Sequence, residues 1–346
     1  MLKSKTLLAA TLAISILVAA FFSYKHWRSK DSLVGRADIL SRIPPDASAV
    51  VFVDLEQLRS SPFLSELLSW APQPAPDDEY AQFVRATGFN YERDLDRLAL
   101  AMNRQPQNLA AFAIAEGRFD RKKIAEYASQ FGSLKTADGK TLYAIPMNGT
   151  SRKSFLVFLR DDRVAWANDS SFFQRPSTGS PPEWREHFSR LAGTPLFVIL
   201  RPDSGAASAL EQAPGGLRSP QLAGLLSQLQ WISIAGKPDG NLLRIVIDGE
   251  CPAENTIHQL KEVLAGIVLL AQAGLNDPKT RKQLDPQLRE GYLEMLQSVD
   301  IQQLDRGSSK SVRIVFVVTP KLLQSARSAP ATADPPPATP LHGPSR

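Results

Sequence analysis

Three carboxylates hold the positions in this chain from which acid–base or ligand chemistry could be run. Asp54 closes the apolar run Val50-Val51-Phe52-Val53, at the end of a strand where a carboxylate can face a cleft. Glu116 and Asp248 each precede a glycine, in two stretches that match in order and type, NLAAFAIAEGRFDRKKIAEYA around Ala111 and NLLRIVIDGECPAENTIHQL around Leu243. A pseudo-symmetric acidic pair of this kind could flank a ligand. The plainer reading is that each carboxylate caps the turn or helix that follows it. Asp54, Glu116 and Asp248 are therefore carried forward as ligand-facing candidates, and no residue is assigned as catalytic.

Other constellations reduce to structure. Glu254, His258 and Glu262, spaced four apart, share one helical edge and could offer a metal two carboxylates and an imidazole. Ile257, Leu260, Leu264 and Ile267 form the apolar face of the same helix, which leaves that edge to solvent, so no metal is expected. Gly139-Lys140-Thr141 mimics the end of a phosphate loop, but the preceding glycine, Gly132, stands two residues too far away. G-x-S-x-G, H-E-x-x-H and G-x-G-x-x-G patterns are absent from the sequence. The single cysteine, Cys251, can form no intramolecular disulfide and no multi-cysteine metal site. No cofactor is expected.

The elements that must position these residues begin with an uninterrupted apolar run, Leu7 to Phe22, flanked by Lys3 and Lys5 and by Lys25, Arg28 and Lys30. At about 1.5 Å per residue, Thr6 to Tyr24 reach close to the roughly 30 Å of a bilayer's hydrocarbon core. Residues 1–30 are read as a single-pass membrane anchor, with secretion after signal cleavage as the alternative. The net charge of +5 equals these five basic residues, so the remainder of the chain is neutral and a nucleic-acid partner is not expected. From Ser325 to Arg346 six prolines lie among small polar residues, the composition of a disordered tail.

Between them the sequence predicts an α+β fold of two related halves, each mainly antiparallel sheet covered by helices: 43–170 and 194–320, joined by a linker at 171–193. Short strands follow one another directly, which implies hairpins. The matched stretches extend to strand openings at 49–53 and 196–200 and to a final pairing of the segment from Ala144 with the segment from Gln302. Under that pairing a helical insertion, 275–298, belongs to the second half. Val263 to Ala273, the next most apolar run, is too short to span a membrane and is expected to be a buried helix.

The opening IPPDASAVVFVDLEQLRSSPFLSELL, the central AIAEGRFDRKKIAEYA and the hairpin FLVFLRDDRVAWAND resemble a bacterial, membrane-anchored family of unknown function with an α+β extracytoplasmic domain. The resemblance implies an ectodomain outside the cytoplasm and carries over no site residue. The expected role is a non-enzymatic binding or scaffolding ectodomain, tethered to the bacterial inner membrane, with an unidentified envelope protein or ligand as partner. The alternative is an envelope hydrolase or transferase built on an unrecognised carboxylate site.

Overall fold

The computed structural model describes residues 35–65, 78–104, 109–137, 140–146, 153–174, 179–202, 220–307 and 309–328. The apolar run Leu7–Phe22 and most of the Pro-rich tail lie outside the described residues. The tail itself starts later than its composition suggests, because Ser325 to Ser328 form the last turn of a helix. Among the described residues no helix is long and apolar enough to cross a membrane.

The protein is α+β, built on one antiparallel sheet. Its strands are β1 (Ala49–Asp54), β2 (Leu95–Arg104), β3 (Leu109–Gly117), β4 (Ser133–Ala137), β5 (Lys140–Pro146), β6 (Lys153–Arg160), β7 (Arg163–Ala167), β8 (Leu196–Leu200), β9 (Trp231–Asp239), β10 (Leu242–Cys251), β11 (Asp300–Asp305) and β12 (Lys310–Val318). Across the sheet they run β11-β12-β10-β9-β8-β1-β2-β3-β7-β6-β5-β4. The seam between the two halves is the antiparallel pair β1 and β8, in register Val51 opposite Val198 and Phe52 opposite Phe197. Counted outward from that seam, β1, β2, β3 and β7 on one side stand opposite β8, β9, β10 and β12 on the other.

This order revises one correspondence drawn from sequence. Matching the segment from Ala144 with the segment from Gln302 pairs β5 and β6 with β11 and β12. By position in the sheet, β12 stands opposite β7 and β11 opposite β6, while β4 and β5 extend the first side alone. Alternating apolar strands look alike, and only the neighbour each strand binds distinguishes them.

The helices are α1 (35–41), α2 (Leu55–Arg59), α3 (62–65), α4 (Asp78–Thr87), α5 (Tyr91–Asp94), α6 (Arg121–Phe131), α7 (Pro182–Arg190), α8 (Pro220–Leu226), α9 (Glu254–Asn276), α10 (Pro278–Gln283), α11 (Pro286–Gln297) and α12 (Pro320–Ser328). Strand periodicity sends successive residues to opposite faces. The face carrying Val50, Phe52, Ala99, Ala101, Phe112, Ile114, Ala165, Ala167, Phe197, Ile199 and Ala235 is covered by Ile39 and Leu40 of α1 and by Trp184 and Phe188 of α7. The span 171–193 thus contributes Trp184, a fully buried side chain, to the main core. Pro182 at the first turn of α7 has the fixed φ a helix start requires and no N–H to leave unsatisfied.

On the opposite face two separate clusters form. Ile124 of α6 packs on Phe158 and Val164, and at the other end Leu222, Leu225, Ile257 and Leu260 of α8 and α9 pack on Cys251 and Val312. Between them the same face of β1 and β8 is half-buried, as their alternating burial shows.

The seam itself is held by aromatic contacts. The rings of Phe52 and Phe197 stack across it at 5.1 Å between centroids. Above them lies the Arg36 guanidinium, 4.7 Å from the centroid of Phe52, which donates to the carbonyls of Thr194 (2.8 Å) and Leu191 (2.6 Å). Burial pushes the Arg36 pKa down, against the pull of nearby Asp54. A guanidinium remains charged through such a shift, so α1 is pinned to the seam by a cation over aromatic faces.

Candidate functional site: two buried arginine–carboxylate clusters

The three candidate carboxylates fall into two clusters on the core-facing side of the sheet, one in each half. In the first, Asp54 and Glu116 are joined through Arg97. Its Nε donates to Asp54 Oδ2 at 3.2 Å, Nη1 donates to Glu116, and Nη2 donates to Glu56 Oε2 at 3.1 Å. Glu116 also accepts from Arg163, whose other terminal nitrogen donates to Asp38 of α1. Arg163 is 0 % exposed, so its charge is sustained by these two carboxylates rather than by water. They hold its pKa above the usual value although burial works to lower it. Asp54 has a second task, since its side chain accepts from the Gln57 N–H at 2.9 Å and caps α2.

In the second cluster Asp248 is gripped by Arg313, whose Nε and Nη2 donate to the two carboxylate oxygens at 2.8 Å each, a bidentate fork. Arg306 Nη2 adds a third bond at 2.9 Å, and Arg306 Nη1 reaches Glu250 at 2.9 Å. Glu250 also accepts from Arg190 of α7 at 2.8 Å. Burial would raise the pKa of Asp248, but the hydrogen bonds and charges of Arg313 and Arg306 outweigh it and hold the group below its ordinary value.

His187 of α7 completes this cluster. Its pKa is driven down to about 3, first by burial and then by the charges of Arg190, Arg306 and Arg201. The ring is therefore neutral. Arg190 Nη2 lies 2.8 Å from His187 Nδ1, and because a guanidinium can only donate, Nδ1 must accept and Nε2 must carry the proton. His187 and Asp248 line a cavity of about 320 Å³, together with Thr194, Ser233, Arg306 and Arg313.

The clusters share one motif of register. Glu116 stands directly opposite Arg163 across β3 and β7, and Asp248 directly opposite Arg313 across β10 and β12. Each pair is the same distance from the seam in the strand order. Behind each carboxylate lies a glycine, and only at Gly117 does backbone packing demand it. A Cβ on Gly117 would sit 2.2 Å from the Asp94 carbonyl oxygen, and one on Gly249 would sit 2.9 Å from a Leu229 methyl.

The remaining sequence candidates stay apart. His258 and Glu262 form an exposed pair at 3.1 Å on α9. Among the described residues no group of three His, Cys, Asp or Glu is arranged to hold a metal ion. Cys251 is buried, and burial pushes its thiol pKa up, which makes it a poor nucleophile. The arginines escaped sequence reading, although a signal existed: Arg97, Arg163 and Arg313 each occupy the parity of their strand that faces inward with apolar neighbours such as Ala99, Ala165 and Val315.

Chemically, Asp248 and Glu116 are placed as ion-pair partners and not as free bases. A general base must offer a free lone pair to a substrate at a pKa near the working pH. Asp248 and Glu116 instead have both oxygens committed to guanidinium donors.

Comparison with known proteins gives a distant likeness of shape. No family model matches the chain, and no curated protein matches it. Among solved structures, three crystal forms of TP0453 are similar. Form III has a TM-score of 0.46 at 8% identity, covering 83% of this chain and 96% of that one. Form IV has 0.43 at 8% identity, covering 86% and 99%, and form I has 0.44 at 9% identity, covering 84% and 97%.

Proposed function

We propose that this chain is a membrane-tethered, extracytoplasmic protein of the bacterial cell envelope that acts by binding or scaffolding, without catalysis. The observation that carries the reading is the commitment of the candidate carboxylates to arginines. Asp54, Glu116 and Asp248 serve as cap, bridge and fork within the fold, and none of the three projects alone into open space. The N-terminal apolar run with its basic flanks supplies the tether, single-pass at the inner membrane, with the bulk of the chain outside the cytoplasm. We read the matched Glu116–Arg163 and Asp248–Arg313 pairs as the mark of two halves derived from one ancestral unit.

One observation favours the alternative of an envelope hydrolase or transferase, namely that Asp248 borders a cavity. Two experiments separate the readings. A reporter active only outside the cytoplasm, fused after residue 330, should give signal, and signal from a cytoplasm-only reporter at that site would refute the orientation. Asp248→Asn, scored in cells for whatever phenotype deletion produces, should lower function only in step with protein abundance. Complete loss at normal abundance would install the enzyme reading instead.

A further inference from the structure

The run Val263 to Ala273 departs from the buried helix expected of it. Only the first three turns of α9 enter the core, through Thr256, Ile257 and Leu260, followed by Val263, Leu264 and Ile267 at its margin. Beyond them Leu269 is 65 % exposed and Leu270 73 %, the two highest values among the large exposed apolar side chains of the described residues. Gly266 and Gly274 lie on the same side of the helix, and a Cβ built on either meets nothing within 4 Å. From Val263 to Asn276 there is no charged residue at all. An outward helical face made of leucine, alanine and glycine is thus left bare, on a helix whose inner face is anchored.

The next helix has the opposite character. α10 carries Lys279, Arg281 and Lys282, all exposed. Arg281 reaches back to Asn276 Oδ1 at 3.4 Å, across the junction of α9 and α10. Asp277 and Asp285 cap α10 and α11, accepting from the N–H of Lys279 and from those of Gln287 and Leu288, and keep their charge, so the segment 277–285 is net positive by one. An uncharged apolar helix face bordered at one end by three exposed cations is the pattern that suits a bilayer surface bearing negative headgroups. A specific protein interface needs roughly 1,200 Å² or more, and two leucines with small neighbours present far less.

We propose that the exposed end of α9 together with α10 is a contact surface for an anionic lipid bilayer, with Leu269 and Leu270 entering the acyl boundary and Lys279, Arg281 and Lys282 meeting the headgroups. The proposal rests on the membrane-tethered reading and gives it a second, reversible point of attachment.

The full chain, reconstituted into phosphatidylcholine liposomes with or without phosphatidylglycerol and carrying a lipid-borne quencher, tests this with a fluorophore placed through Leu270→Cys. The native Cys251 is buried and leaves labelling to the introduced site. Leu134→Cys provides the control, an exposed leucine on the remote edge strand β4. Quenching at position 270 should exceed that at 134 several-fold, only when phosphatidylglycerol is present. High salt or K279E/R281E/K282E should abolish the excess, since three reversed charges weaken attachment on the order of a hundredfold or more. Equal quenching at the two positions in anionic liposomes would overturn the proposal. So would excess quenching that ignores phosphatidylglycerol, or excimer emission between pyrene labels at position 270, which would assign the face to a second copy. Because the reporter fusion reads topology independently, failure of the lipid contact leaves the tethered reading standing, and the two failures are distinguishable.

Discussion

Glu116→Gln should be far more costly than any loss of a helix cap, and the geometry says why. One oxygen of Glu116 accepts from Arg97 and the other from Arg163. Glutamine keeps the shape but offers a single acceptor oxygen, so its Nε2 must meet one guanidinium donor to donor. Arg163, with no exposure of its own, would retain only Asp38, whose side chain is 37 % exposed. Removing one partner from a buried ion pair costs about 3–5 kcal/mol, and the surviving Asp38 and Asp54 contacts place this case near 3. At about 2–4 °C per kcal/mol, the thermal midpoint should fall by roughly 6–12 °C. Asp54→Asn is the internal comparison. Asparagine can still cap α2 through Oδ1, but its Nδ2 then meets Arg97 Nε donor to donor; because Arg97 keeps Glu116 and Glu56, the loss is about 2 kcal/mol. Thermal unfolding followed by circular dichroism reads both. The double variant E116Q/R163M should lose less than the sum of its single changes, by about 0.5–3 kcal/mol of coupling. A midpoint for Glu116→Gln no lower than that for Asp54→Asn, with strict additivity in the double variant, would show that the buried network does not hold the sheet together.

The remaining expectations concern pH, packing and the thiol. His187 has a folded pKa of about 3 against an ordinary 6.5, so between these values the unfolded chain binds a proton that the folded one refuses. Its contribution is therefore complete above pH 6.5 and is lost as pH falls toward 3, with a slope approaching about 1.4 kcal/mol per pH unit. Urea midpoints measured from pH 7 to 5 should show that slope in the native protein and a shallower one in His187→Asn, and parallel curves would refute the assignment. Gly117→Ala should destabilise more than Gly249→Ala, because the first drives a Cβ into a backbone carbonyl and the second only into a leucine methyl that can rotate away. The reverse ranking in denaturant titrations would count against the close approach of β3 to Asp94. Cys251 should resist a thiol reagent in the folded protein and react at once in urea; rapid labelling without denaturant would contradict its burial.

Much of the fold is legible because strand parity and hairpin adjacency are local. The run from Val50 to Asp54, the Ser61-Pro62 helix start and the Glu116-Gly117 and Asp248-Gly249 matches all depend on neighbours within a few residues. The partner choices of β5, β6 and β12 do not, and apolar strands of similar length carry no label for the edge they will join. Inward parity marks Arg97, Arg163 and Arg313, but their partners lay beyond reach for the same reason. Arg163 meets Asp38 across 125 residues and Arg190 meets Glu250 across 60, separations that leave no periodic trace. The burial expected of Val263 to Ala273 failed differently, since apolarity predicts exclusion from water without specifying whether protein or lipid supplies the cover.

The β1–β8 seam also sets a constraint on how the chain can be made. β1 is among the most apolar strands in the sheet, and its pairing partner on one side, β8, begins only at Leu196. A nascent or truncated first half would hold β2 against β1 and leave the other edge of AVVFVD with its N–H and C=O groups unpaired, a template for another chain. Such a fragment should self-associate, two copies offering β1 to each other where β8 belongs. Completion of the sheet is then a matter of timing as well as sequence: until the second half emerges, something must keep that edge from its own kind, and the arrival of β8 removes the hazard by covering it for the life of the protein.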